Sequence, residues 1–147
     1  MMSRTSILAG SIVVWGTALA FSGTAARGAA VEKTTNDGVY TKAQADGAKA
    51  QFDKICAECH AFTVAAKKKP KDLPLGDEPF ITSWDGRTLG ELVTTIVTTM
   101  PNDGSAAVSD DEAVNLVAYI LQQNGYPAGE RALTKAGASE VVLRPKK

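Results

Sequence analysis

The chain has 147 residues, 44% hydrophobic and 22% charged, with 16 basic side chains against 16 acidic. That composition suits one small soluble domain and excludes a disordered polyampholyte, and the balanced charge leaves no electrostatic footprint for DNA or RNA. Two cysteines and one histidine fall short of the four ligands that a structural zinc site takes.

The N-terminus carries Arg4, an apolar run over 7–21, and then the small residues Gly23, Ala25, Ala26, Gly28, Ala29 and Ala30. Charge, apolar centre and small-residue end form the pattern of a secretory signal, with cleavage between 26 and 30. The run is short for a bilayer span and is diluted by Gly10, Ser11, Gly16 and Thr17, so an uncleaved membrane anchor is the lesser reading. The expectation is a periplasmic protein whose mature part keeps both cysteines. Its organisation reads as a signal peptide at 1–30, a flexible lead-in at 31–39, a domain at 40–133 and a C-terminal tail at 134–147.

Thr41-Lys42-Ala43-Gln44 has the form of a capping box, with Tyr40 placed to staple against Ala45. Ala45, Ala48, Phe52 and Ile55 recur at helical spacing, which predicts a first helix running into Cys56. Between Phe62 and Pro79 the chain changes character. Lys67, Lys68, Lys69 and Lys71 form a basic run, and Pro70, Pro74 and Pro79 break regular structure. Thr88-Leu89-Gly90-Glu91 opens a second helix with the stripe Leu89, Leu92, Val93, Ile96 and Val97; Pro101 ends it. Ser109-Asp110-Asp111-Glu112 opens a third, with Ala113, Leu116, Val117, Ile120 and Leu121 on one face. Asn124-Gly125 stops it, and Val141-Val142-Leu143 reads as an extended tail. Three helices joined by long loops make an all-α domain. Loops of that length and so few aromatic residues point to something other than protein filling part of the middle.

Cys56-Ala57-Glu58-Cys59-His60 is C-x-x-C-H, the attachment sequence for c-type haem. Two thiols three residues apart on a helical turn each reach one of the two haem vinyl groups, and the imidazole that follows faces the iron. A redox dithiol would sit beside a βαβ pattern, which is lacking; a disulfide here would close a tiny loop and gain little; zinc lacks ligands. Every cysteine and the one histidine fall in this pentapeptide, so a single covalent haem c is the leading reading. Met100, forty residues beyond His60 and directly before Pro101, is the one methionine left once the signal is removed. It is either a soft sixth ligand that raises the reduction potential or an apolar gap-filler, and its position favours the ligand.

Together these residues resemble the class I (mitochondrial-type) c-type cytochromes of bacteria, and among them the small monohaem domains associated with periplasmic dehydrogenases. The resemblance runs from about 40 to 133. It is carried by Tyr40-Thr41 with Gln44-Ala45, the C-x-x-C-H pentapeptide, Leu75-Gly76 with Phe80, Trp84, Thr99-Met100-Pro101, Ala118-Tyr119-Ile120-Leu121 and Asn124-Gly125-Tyr126-Pro127-Ala128-Gly129. It implies the cytochrome c fold, with three main helices and long loops wrapped around one haem. It also implies that Tyr119 packs on Ala48 or Gly47 beside Phe52. In the site, it implies that the Pro74 carbonyl accepts a hydrogen bond from His60, that Leu75 and Phe80 wall the porphyrin, and that Trp84 meets a propionate. The metal ligands are then His60 and Met100, and no residue is catalytic.

Such a protein is expected to carry single electrons from a periplasmic dehydrogenase to an oxidase or another cytochrome, as a monomer in brief complexes. A dedicated haem subunit of one dehydrogenase complex is the alternative. A ligand-binding haem enzyme or sensor with an open sixth site comes last, because no acid–base pair is placed to act on bound oxygen. The basic run at 67–71 reads as a solvated loop, with a docking patch for an acidic partner as the second reading.

Overall fold

The computed structural model describes residues 32–67 and 74–147. The segment read as a secretory signal and most of the basic run lie outside them. In chain order the described elements are β1 (Lys33–Thr34), a 3-10 turn (Thr35–Asp37), α1 (Lys42–Ile55), α2 (Asp77–Trp84), α3 (Leu89–Thr99), α4 (Asp110–Gln123), α5 (Lys135–Ala138) and β2 (Val141–Val142).

Local signals account for most of the helix boundaries. Thr88 and Ser109 cap α3 and α4 with complete boxes: Glu91 accepts the Thr88 N–H at 2.9 Å and Glu112 accepts the Ser109 N–H at 2.8 Å. Met100 ends α3 with extended backbone (φ −122°, ψ 144°), as the following proline demands. Gly125, at φ 73°, turns the chain off the end of α4.

Only half of the first box forms. Thr41 Oγ1 accepts the Gln44 N–H at 3.2 Å, but the Gln44 side chain is spent elsewhere. Its amide donates to Asn115 Oδ1 and to the Leu133 carbonyl, both at 2.9 Å, and its oxygen accepts the Leu133 N–H at 2.8 Å. Bonding α4 and a passing backbone together satisfies more polar groups than the reciprocal cap would.

The most extensive packing is between α1 and α4. Ala45, Ala48 and Phe52 are buried on one side, and Ala113, Leu116, Val117 and Ile120 on the other. Gly47 faces outward, where an added Cβ would meet nothing within 4 Å, so Ala48 is the small residue buried on this face of α1. The Tyr119 ring lies 5.1 Å from that of Phe52.

Helix α2 occupies a segment that reads as proline-broken. Gly76 caps it without any side-chain bond, and Pro79 is only its third residue. In a first turn the N–H groups have no intrahelical acceptor, so proline costs nothing there. Phe80 is thereby turned into the core at 4% exposure.

The terminal segments also differ from expectation. β1 pairs parallel with β2, Lys33 opposite Val141 and Thr34 opposite Val142, and Thr88 bridges Val142 on the other side. The fully buried Thr35 hydroxyl donates to the Arg144 carbonyl at 3.2 Å and accepts the Arg144 N–H at 3.1 Å. The Tyr126 hydroxyl donates to the same carbonyl at 2.7 Å. The lead-in expected to be flexible is therefore fixed from residue 32 onward, and the expected tail completes the core through Ala138, Val141 and Leu143. Burial of these apolar side chains, with paired backbone around them, offsets the entropy of ordering both ends. The compact unit accordingly extends to Lys147 rather than stopping near 133. No helix among the described residues is long and apolar enough to cross a membrane.

Candidate functional site

The site is built where α1 runs out. The N–H groups of Cys56 and Ala57 both donate to the Phe52 carbonyl, at 2.9 and 3.0 Å. Those of Cys59 and His60 then both return to the Cys56 carbonyl, at 3.1 and 2.9 Å. The pentapeptide is thus wound tightly on itself, with Cys56, Cys59 and His60 gathered around one turn.

Both thiols are free; Cys56 is half-buried and Cys59 exposed. Burial pushes the Cys56 thiol up to about 11, so it stays protonated at neutral pH. That is the opposite of the low-pKa thiolate on which a redox dithiol depends. His60 is half-buried and faces a cleft of about 390 Å³ walled by Phe52, Phe62 and Tyr119. The three rings form one cluster, with centroids 5.0 Å apart for Phe52–Phe62, 5.1 Å for Phe52–Tyr119 and 5.8 Å for Phe62–Tyr119. Phe62 has no assigned role in the sequence reading. Its position two residues after His60 is the one signal that could have pointed to it.

The loop after His60 is clasped to the start of α2. The Leu75 N–H donates to the Ala61 carbonyl at 2.7 Å, and the Val64 N–H to Asp77 Oδ2 at 2.9 Å. Between those bonds, Gly76 lies so close to the Phe62 carbonyl that a Cβ would stand 2.1 Å from its oxygen. Only glycine fits that approach. Asp77 holds φ 59°, a left-handed conformation that costs a non-glycine residue energy and that the surrounding clasp sustains.

The clasp brings the half-buried Leu75, which follows the half-buried Pro74, beside Ala61, the residue after His60. Phe80 and Trp84 form a second group on α2, their rings 6.4 Å apart. The half-buried Trp84 carries the Arg87 guanidinium 4.0 Å above its ring, and Glu91 holds Arg87 at 3.3 Å. Met100 stands half-buried at the end of α3, outside the lining of the His60 cleft.

Haem c fits these residues on the chemistry of the donor set. Two free thiols and an imidazole on one turn suit two thioether bonds and one axial ligand. Ile55, Cys56 and Ala57 of the same stretch, with Leu75, Ile81, Ile96 and Val97, pack on the core yet keep part of their apolar surface uncovered by protein. A flat apolar group laid against such a wall is favoured by the area it removes from water.

A family model described as cytochrome C oxidase, cbb3-type, subunit III, matches residues 43–120, more than half of the chain. The chain belongs to this family of c-type cytochromes. The match reaches from α1 into α4 of the cytochrome and includes the pentapeptide, α2 and Met100. Its mostly helical architecture is that of the cytochrome c fold, and a domain of this kind transfers electrons through haem. No curated protein and no solved structure matches the chain.

Proposed function

We propose that this cytochrome is an exported carrier of single electrons, with one haem c bonded to Cys56 and Cys59 and its iron held by His60 and Met100. The observation that carries the proposal is the double turn at the end of α1, which gathers two free thiols and an imidazole beside a partly uncovered apolar wall. Haem c supplies a one-electron couple when bound. The residues around it hold it, set its potential and exclude water.

Cys56 and Cys59 keep the group from dissociating outside the cytoplasm. His60 would hold the iron, and the carbonyl of Pro74, the neighbour of the Leu75 that bonds Ala61, would serve as partner for its second ring nitrogen. Met100 offers a soft thioether that favours ferrous iron. Met100 has the extended backbone that Pro101 demands, at the end of α3. Leu75, Phe80 and Trp84 line the remaining wall. With His60 and Met100 both holding the iron, no position would be left for a substrate, and the role would be that of a carrier rather than an enzyme.

The secretory pattern of residues 1–30 supports a periplasmic location. A periplasmic dehydrogenase then serves as donor, and an oxidase or another cytochrome as acceptor. Complexes of this kind are small and short-lived.

Visible spectra of the periplasmic protein, oxidised and reduced, with and without carbon monoxide, test the proposal. The expected result is a c-type spectrum that carbon monoxide leaves unchanged in the wild type. Met100→Ala should keep the covalent haem, lower the potential and gain a carbon monoxide response. An unchanged potential in that variant would remove Met100 from the iron.

A further inference from the structure

The side chain of Asn124 does more than end a helix. Its Nδ2 donates to the Ile120 carbonyl at 2.8 Å, a local cap, and also to the Leu75 carbonyl at 2.7 Å, across 49 residues of sequence. Leu75 is the pivot of the clasp around the motif, because its own N–H donates to the carbonyl of Ala61, the residue directly after His60.

We infer that Asn124 is a positioning residue for His60, transmitting the fixed end of α4 through the Leu75 peptide to the segment that carries the imidazole. The inference rests on the reading that His60 holds the iron. The linkage has little slack. The Asn124 Oδ1 atom lies 2.9 Å from where a Gly76 Cβ would stand, and the Phe62 carbonyl closes the other side of that point at 2.1 Å. Asp77 fixes the far end of the same loop through the Val64 N–H at 2.9 Å. The anchor is stiff as well, since α4 is buried from Leu116 through Leu121 without interruption. A change at Asn124 therefore cannot be absorbed between Leu75 and Ala61 and is passed on to the ring beyond them.

The test is proton NMR of the ferric holoprotein, reading the hyperfine-shifted ring resonances of His60. Asn124→Ser separates the two bonds. Its hydroxyl reaches the carbonyl four residues back, as those of Thr94, Thr95, Thr98 and Thr99 do here, but is too short for Leu75. Asn124→Ala removes both bonds. Ser109→Ala weakens α4 from its other end without touching the loop.

Both Asn124 variants are expected to move the His60 resonances by similar amounts, while Ser109→Ala lowers the melting temperature and leaves them in place. Wild-type resonance positions in Asn124→Ser, or an equal shift in Ser109→Ala, would overturn the inference; if Asn124→Ala does not fold, the serine variant decides alone. A wild-type holoprotein with haem but no hyperfine-shifted imidazole signals would instead overturn the ligand reading, and this inference with it.

Discussion

The α1–α4 crossing and the stretch from Cys56 to Trp84 are built on opposite principles. At the crossing, protein covers protein: Ala45, Ala48, Phe52, Leu116, Val117 and Ile120 are buried to within a few per cent by their neighbours. Around the motif, Ile55, Cys56, Ala57, Leu75, Ile81 and Trp84 are no less apolar, yet each keeps part of its surface uncovered. The first region is an ordinary helix pair. The second keeps part of its apolar surface open and is tied together by hydrogen bonds to loop backbone, two of them from the Asp77 and Asn124 side chains. At the crossing each helix covers the other; on the proposed reading, the haem bonded to Cys56 and Cys59 would cover the second region and complete the core.

The sharpest way to break this contrast is to remove the thiols. Replacing Cys56 and Cys59 together with alanine should abolish haem mass on the polypeptide and the cooperative melt seen by circular dichroism. A variant that keeps its full helical signal and melts cooperatively would show that the second region needs no haem to cover it.

Phe52 belongs to both regions, packing in the crossing and lining the His60 cleft. Phe52→Ala should cost about 3–5 kcal/mol in denaturant unfolding of the holoprotein, the usual range for truncating a buried aromatic. A loss as small as that of a surface substitution would separate the two regions.

Two glycines sharpen the comparison further. Gly76→Ala drives a Cβ onto the Phe62 carbonyl, a backbone atom that cannot swing aside, so a loss of about 1–3 kcal/mol is expected, with a changed visible spectrum. Gly47→Ala sits on the outer side of α1 in open space and should gain about 0.5–1 kcal/mol, with no spectral change.

The smallest expected effect is with acid. Backbone hydrogen bonds at the helix caps hold the Glu91 and Glu112 carboxyls below their ordinary value of 4.5. Because the folded values are the lower ones, their contribution is fully present above that pH and fades as pH falls through the folded values. Glu91→Gln with Glu112→Gln should flatten the acid limb of the stability curve slightly. An unchanged limb would show that the caps do not titrate as drawn.

The sequence spelled out whatever local chemistry decides. Thr88 and Ser109 announced their helices because a hydroxyl and a carboxylate three residues on satisfy the same backbone ends wherever they occur. Pro101 and Gly125 announced the stops in the same way. Gln44 shows the limit, since its cap partner lost to Leu133, a competitor 89 residues away. Helix α2 was hidden because Gly76 gives no capping signal and Pro79 is a breaker everywhere except in a first turn. The terminal clasp was hidden because two-residue strands carry no periodicity, and the Thr35–Arg144 pairing spans 109 residues. At the site, the motif itself was plain. The clasp around it joins the close backbone approach of Gly76 to bonds from the Asp77 and Asn124 side chains to backbone groups distant in sequence, and it left no pattern beyond the residue names.

The most direct test of the account is the intact mass and reduced visible spectrum of the mature protein, expressed where haem maturation is active. The account predicts one haem bonded to the polypeptide at Cys56 and Cys59 and a c-type spectrum on reduction. A colourless protein carrying no added mass would contradict it.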